Sequence, residues 1–234
     1  MTFNIDLAKK VASKYINNDS EKSLVESFFQ VCNFLADNPD RISWRSKKNV
    51  PSVETQAGLE ILAERYFSAY NKSDFPAVPG TVPDEMVSIV MQEAYGHTQE
   101  QCEQIKIEHQ HSMCAENCVG ALLERYLDSV LRAHNWHWCC GDFVKAIDFV
   151  SKTDDGKWLA LQIKNRDNSE NSSSSAIRSG TEIEKWFRSF SKTGKTNWNS
   201  LPKLMQGYNL SEQGFIDFVK SYLREQKINQ NQEF

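Results

Sequence analysis

A chain of 234 residues with six Trp and thirteen Phe holds enough apolar mass for one large domain, or for a compact domain with a smaller helical appendage. No run approaches the roughly eighteen consecutive apolar residues of a membrane span, and the opening MTFNIDLAKKVASKYINN is amphipathic and charged, without an apolar signal core. A soluble, cytoplasmic protein is therefore expected, and its formal net charge of −4 excludes a polyanion binder that is basic all over.

The first third reads helical. Leu7, Val11 and Tyr15 recur at helical spacing. A second helix opens near Ser20, a suitable N-cap, and repeats Leu24, Phe28, Phe29, Cys32 and Leu35 until Asn38-Pro39 stops it. RISWRSKK, residues 41–48, is a short basic stretch around Trp44. A third helix is predicted over 54–70 with Leu59, Leu62, Tyr66 and Phe67 on one face. The segment NKSDFPAVPGTVP, residues 71–83, has three prolines and a glycine and reads as a loop. Two further helices follow. The second, over 115–133, turns Val119, Leu122, Leu123, Tyr126, Leu127, Val130 and Leu131 inward and leaves Glu124 and Asp128 on its other sides.

After Asn135 the period becomes strand-like. Residues 136–140 and 143–150 are aromatic and β-branched, Thr153-Asp154-Asp155-Gly156 is a turn cluster, and 158–163 returns as a strand. A polar, Ser-rich stretch leads to a helix predicted over 182–190, and a last helix runs over 211–225. The six cysteines, Cys32, Cys102, Cys114, Cys118, Cys139 and Cys140, are irregularly spaced in a long chain. Free, mostly buried thiols are expected there rather than disulfides.

The hairpin carries the chemistry. Alternation puts Phe143, Ile147 and Phe149 on one face of the first strand and Ala146, Asp148 and Val150 on the other. A three-residue turn at 154–156 sets Asp148 opposite Gln162, with Lys164 one step further on the same face. A carboxylate, a carboxamide oxygen and an ammonium thus converge. Oxygen donors of this kind suit Mg²⁺, with Asp148, Gln162 and the Ile163 carbonyl as ligands. Such an ion polarises a phosphodiester and acidifies a water that Lys164 can orient. Glu124 can add a carboxylate from the preceding helix. The plain alternative is a cross-strand ion pair on a wet face, worth little.

Charge is also unevenly placed. Between Lys157 and Met205 nine Lys/Arg face four Asp/Glu, making that stretch +5 and the remainder −9. This predicts one basic face on an acidic body, with chance clustering as the alternative.

The hairpin resembles the catalytic core of the PD-(D/E)xK nucleases, with Asp148 at the Asp and Gln162-Ile163-Lys164 at the (D/E)xK. The wider pattern AIDFV…LQIKNRDN…SSSSAIR…WFR…TNW is similar to type II restriction endonucleases of the SinI type, most clearly over 117–198. The resemblance implies an α/β fold: a mixed β-sheet nuclease core over 113–234 that includes a DNA-recognition segment, flanked by helices. A mostly helical, DNA-contacting region would fill 1–112. It further implies metal-dependent cleavage of double-stranded DNA at GGWCC by a homodimer that works beside a cognate DNA methyltransferase without binding it.

Asp148 and Lys164 carry over as catalytic residues and Gln162 as the second ligand position. The chain departs from the motif at Ile147, where Pro is common, and at Gln162, which replaces an acid. Either metal affinity is lower, or Glu124 or Asp142 compensates; Asp142 also reads as a turn residue after Gly141. Asn165, Arg166, Asp167, Asn168, the serines Ser173 and Ser174, and Arg178 leave the active strand where DNA would lie. Arg166 and Arg178 would be guanine readers. Lys185, Arg188, Lys192 and Lys195 suit phosphates, as do Arg45, Lys47 and Lys48, whereas Trp186 and Phe187 read as core.

Two rivals remain. His109, His111, Cys114 and Cys118, followed by His134, His137, Cys139 and Cys140, would supply a zinc-stabilised, non-catalytic nucleic-acid-binding module. A repair or junction nuclease of the same fold is the other.

Overall fold

The computed structural model describes residues 4–16, 21–43, 51–167 and 183–232. Among the described residues, six α-helices accompany one four-stranded sheet. They are α1 (Ile5–Ala12), α2 (Lys22–Asp37), α3 (Gln56–Asn71), α4 (Glu85–Tyr95), α5 (Gln99–Leu131) and α6 (Glu212–Gln232), and the strands β1 (Trp136–Trp138), β2 (Phe149–Lys152), β3 (Trp158–Arg166) and β4 (Ile183–Ser189) lie between α5 and α6. The expected mixed α/β class and the helical N-terminal part are both present. The chain groups into two compact units, Met1–Lys72 with Leu123–Ser221, and Ser73–Leu122 with Tyr222–Phe234. None of the described helices is long and apolar enough to cross a membrane.

In the first unit three amphipathic helices build the core beside the sheet. The Asn4 side chain accepts the Leu7 N–H at 2.9 Å and Thr55 Oγ1 accepts the Gly58 N–H at 3.1 Å, so α1 and α3 each begin with one donor satisfied. The N-cap expected at Ser20 lies outside the described residues. Most periodic apolar positions read from the sequence are buried: Val11 in α1, Leu24, Phe28, Phe29, Cys32 and Leu35 in α2, and Leu59, Leu62, Tyr66 and Phe67 in α3, whereas Leu7 and Tyr15 are only half-buried and α1 also buries Ala8 and Ala12. Phe28 meets the Tyr66 ring edge-on at 5.4 Å. The end of α5 contributes Leu123, Tyr126, Leu127 and Leu131 as expected. This helix starts at Gln99, well before the predicted 115. Its first half is held by exposed pairs such as Gln99–Glu103 and Gln104–Glu108, which leave no apolar period to detect.

The sheet order is β1-β2-β3-β4, antiparallel except for the parallel β3–β4 pair. The hairpin register is Phe149↔Leu161 through Lys152↔Trp158. Thr153 N–H donates to Lys157 O at 2.9 Å around a three-residue turn, as predicted, and Gly156 takes the φ of 83° that closes it. The strand expected over 143–150 begins only at Phe149. Residues before it satisfy their backbone elsewhere: Ser43 N–H donates to Phe143 O and Lys145 N–H to Arg41 O. This competition bends the chain, and Ala146 sits at a φ of 57°.

The helix predicted over 182–190 is strand β4. In IEKWFRS the three apolar residues, Ile183, Trp186 and Phe187, fall at i, i+3 and i+4, a helical spacing too short to separate helix from strand. Here Ile183, Trp186 and Phe187 complete the open edge of β3, and that tertiary pairing decides the outcome. Trp186 is nonetheless core, as expected, and Phe149, Leu161 and Ile163 are buried with it.

All six cysteines are free thiols, four of them buried. At Gly58, in the first turn of α3, a Cβ would strike the Ser52 carbonyl oxygen, and backbone cannot swing aside as a side chain can. Gly58→Ala is expected to destabilise the protein by about 1–3 kcal/mol, measured as a lower midpoint in urea unfolding; an unchanged midpoint would show that the 51–52 segment relaxes freely.

Candidate active site

Asp148 is clamped at the head of the hairpin. Its N–H donates to Leu161 O at 2.9 Å and its carbonyl accepts the Cys139 N–H at 2.8 Å. Its carboxylate Oδ2 accepts the Ile163 N–H at 2.6 Å. Burial raises the carboxyl to about 6, against the opposing pull of the Ile163 N–H and of the Lys164 charge. A group that stays ionised at neutral pH only against its surroundings is poised to meet a cation.

The paired hairpin register ends at Phe149↔Leu161, and the Asp148 N–H goes to the Leu161 carbonyl rather than to Gln162, so the direct pairing of Asp148 with Gln162 expected from the sequence is replaced by the carboxylate's bond to the Ile163 N–H. Gln162 is 2% exposed, and its Oε1 has no hydrogen-bond partner among the described residues. An unsatisfied buried acceptor costs free energy unless something else supplies the partner. Lys164 follows two residues on, half-buried and on the same face. In the parallel β3–β4 pair, Gln162 is in register with Lys185, Lys164 with Phe187, and Arg166 with Ser189. The face that holds Gln162 and Lys164 therefore extends onto β4 through Lys185.

Glu124 Oε2 accepts the Trp138 Nε1–H at 2.9 Å. Both Glu124 and Asp148 reach the Cys139 thiol electrostatically; burial first, then Asp148, Cys140 and Glu124 hold that thiol well above its ordinary range. Asp142 Oδ1 lies 3.7 Å from Arg65 Nη1.

Arg166 is exposed at the end of β3, and Lys192 and Lys195 are exposed on the turn after β4. Asn165 and Arg188 are engaged within the fold. Arg188 donates from Nε to Asn165 Oδ1 at 2.9 Å and from Nη1 to Glu212 Oε1 at 2.5 Å. Glu212 Oε2 in turn accepts the Trp198 Nε1–H at 2.7 Å. Asp167 Oδ1 accepts the Ser191 N–H at 2.8 Å. Glu212 and Trp198 went unread in the sequence because their contacts with β4 are distant along the chain. Arg45, Lys47, Lys48, Asn168, Ser173, Ser174 and Arg178 lie outside the described residues.

The zinc ligands envisaged from sequence do not assemble. Among the described residues no three His, Cys, Asp or Glu side chains gather to hold an ion. His134 stacks on Tyr208 at 3.8 Å, and the Cys140 Sγ faces the Tyr66 carbonyl at 3.4 Å. His137 Nδ1 lies 3.2 Å from Ser27 Oγ, and burial drives this ring down to about 4, neutral in the interior.

The SinI restriction endonuclease family matches residues 8–225. The chain is 46% identical over 202 residues to the type II restriction enzyme Eco47I of Escherichia coli, covering 86% of this chain and 87% of that one. It is 41% identical over 227 residues to the type II restriction enzyme SinI of Salmonella infantis, covering 96% and 98%.

A pH test follows from Asp148. Its folded value lies above the unfolded one, so its contribution to stability is full below about 4 and is lost as pH rises through about 6. Asp148→Asn keeps an oxygen for the Ile163 N–H and removes the buried charge. In chelator, the Asn variant is expected to be more stable than the parent by on the order of 1–2 kcal/mol at pH 8, with the gain vanishing at pH 4. Thermal melts across that range measure it, and a gain that does not change with pH would contradict the burial of this charge.

Proposed function

The chain belongs to the SinI restriction endonuclease family and is a type II site-specific deoxyribonuclease, and from that premise we propose that it cuts double-stranded DNA at GGWCC by metal-dependent phosphodiester hydrolysis. It acts, in this proposal, as a homodimer in the cytoplasm, beside a cognate methyltransferase that protects the same sites without binding to it. A palindromic site calls for a two-fold pair of subunits, each cutting one strand. The observation that carries the proposal is the grouping of Asp148, the partnerless Gln162 oxygen and Lys164 at one end of the hairpin.

The donors present fit Mg²⁺, which wants hard oxygens and keeps several of its waters. Asp148 and Gln162 Oε1 would hold it, with the Ile163 carbonyl as a third donor; when bound, the ion supplies phosphate polarisation and a more acidic water. The Ile163 N–H fixes the Asp148 carboxylate, so its free oxygen is aimed before substrate arrives. The Lys164 ammonium orients the attacking water and balances the negative charge that grows on the phosphate. Glu124 acts more remotely, through the Trp138 indole that it holds. A neutral Gln in place of an acid leaves the site with one carboxylate fewer, which lowers ion affinity and is consistent with the absence of a three-carboxylate cluster among the described residues.

Arg166 is proposed to read a guanine from the end of β3, with Arg178, Asn168, Ser173 and Ser174 continuing the same segment. Lys185, Lys192 and Lys195 serve as phosphate contacts, as do Arg45, Lys47 and Lys48. Asn165, Asp167 and Arg188 shape this end of β3 and β4 through their internal bonds.

Digestion of a sequenced plasmid with purified protein and Mg²⁺, followed by mapping of the ends, tests the reaction and the site together. Ends confined to GGWCC support the proposal, and discrete ends at another sequence refute the site while leaving the enzyme class. Asp148→Ala and Lys164→Ala are each expected to lower cleavage by at least ~10³-fold while specific DNA binding persists. Full cleavage by either variant would remove that residue from the site. Arg166→Ala should cost about 1–3 kcal/mol of discrimination at one guanine; an equal loss on specific and random DNA would make Arg166 a phosphate contact instead.

A further inference from the structure

The face of the sheet that carries Gln162 and Lys164 also carries an aromatic pair that the cleavage chemistry leaves unused. Across β3 and β4, Gln162 is in register with Lys185 and Lys164 with Phe187, and side chains in register share a face. Phe187, read as core from the sequence, is only half-buried there. Its ring meets that of Phe190 edge-on, with centroids 5.1 Å apart. Phe190 is 38% exposed. Neighbouring strands lie about 4.8 Å apart, so the Phe190 ring stands on the order of 10 Å from Lys164. That is within about three base-pair steps along a duplex.

A closed turn holds Phe190 in place. Its N–H donates to Lys195 O at 2.9 Å, and its carbonyl accepts the Gly194 N–H at 2.8 Å. Ser189 bridges to Thr196, and the Ser191 N–H donates to Asp167 Oδ1 at 2.8 Å. Gly194 takes the φ of 69° that reverses the chain. The turn is thus tied both to β4 and to the end of β3, and fixed backbone presents the ring. Residues 190–197, FSKTGKTN, contain two lysines and no acid. Both lysines, Lys192 and Lys195, are exposed.

A lone exposed phenylalanine is ordinary on a protein surface. One set beside the catalytic lysine, backed by a second ring and flanked by cations, fits a particular occupant. Phosphates match the lysines, and the face of a base matches the ring. We propose that Phe190 is a wedge that enters the DNA stack near the scissile phosphate, with Phe187 behind it and Lys192 and Lys195 on the flanking phosphates. An apolar side chain inserted between base pairs unstacks that step and kinks the duplex. Steps differ in how readily they open, so the wedge also discriminates between sequences without a hydrogen bond to any base. This role rests on the DNA-cleaving function proposed above and adds a residue to it.

The test uses the full chain in a Lys164→Ala background, which keeps the duplex whole, and a short duplex bearing whichever site the plasmid digest maps. Dyes on the two duplex ends report bending by energy transfer, and titrations on this and on a random duplex report affinity. The background protein is expected to bend the mapped duplex by at least about 20°, and Phe190→Trp to keep the bend. Phe190→Ala should leave the duplex straight and bind the mapped site about tenfold more weakly or worse, with random DNA nearly unaffected. Phe190 is exposed, so the melting curves should superimpose. A bend that survives Phe190→Ala, or an equal loss on mapped and random DNA, overturns the wedge and leaves the nuclease standing. A straight duplex with Phe190 intact overturns it as well, whether or not a Phe190 variant folds. A protein that cuts no site removes both.

Discussion

The hydrogen bond from the Ile163 amide to the Asp148 carboxylate is the constraint on which the candidate site depends. It spans the open end of the hairpin and holds one oxygen of a buried, reluctantly ionised carboxyl, leaving the other to be aimed. Its existence requires the register, and the register is set by the turn at 154–156. Lengthening or shortening that turn by one residue would send Gln162 and Lys164 to the opposite face, since strand side chains alternate. Chemistry and turn geometry are therefore coupled through three residues that touch nothing reactive.

The core explains why this arrangement holds. Phe149, Leu161, Ile163 and Trp186 are buried on the face away from Gln162 and Lys164, and a slip would exchange apolar side chains for charged ones there. Behind the site, Arg188 links Asn165 of β3 to Glu212 of α6, and Trp198 shares the same carboxylate. Such a partly buried, charge-assisted network fixes the ends of β3 and β4 relative to each other. Precision at the site is thus supplied by residues outside it.

Charge is divided in the same spirit. The stretch from Lys157 to Met205 is basic, whereas 73–122 is acidic with an apolar helix exposed on it. A nuclease that must bind DNA without binding every polyanion gains from confining its positive charge to the segment that carries the site.

The sequence by itself determined the elements whose signals are local: the amphipathic faces of α2 and α3, the Asp-Asp-Gly turn, and the strand through Gln162-Ile163-Lys164. Each follows from residue spacing, which backbone periodicity translates directly into faces. Only the tertiary structure decided that residues 183–189 are a strand, because β3 offered an edge for a segment whose short apolar pattern read as helical. It alone shortened β2, since residues 41–43 compete for the backbone of 143–145. It alone left α4 uncovered, and it alone tied Arg188 to Glu212. In each case the deciding partner lies far away along the chain, where no spacing in the sequence can point to it.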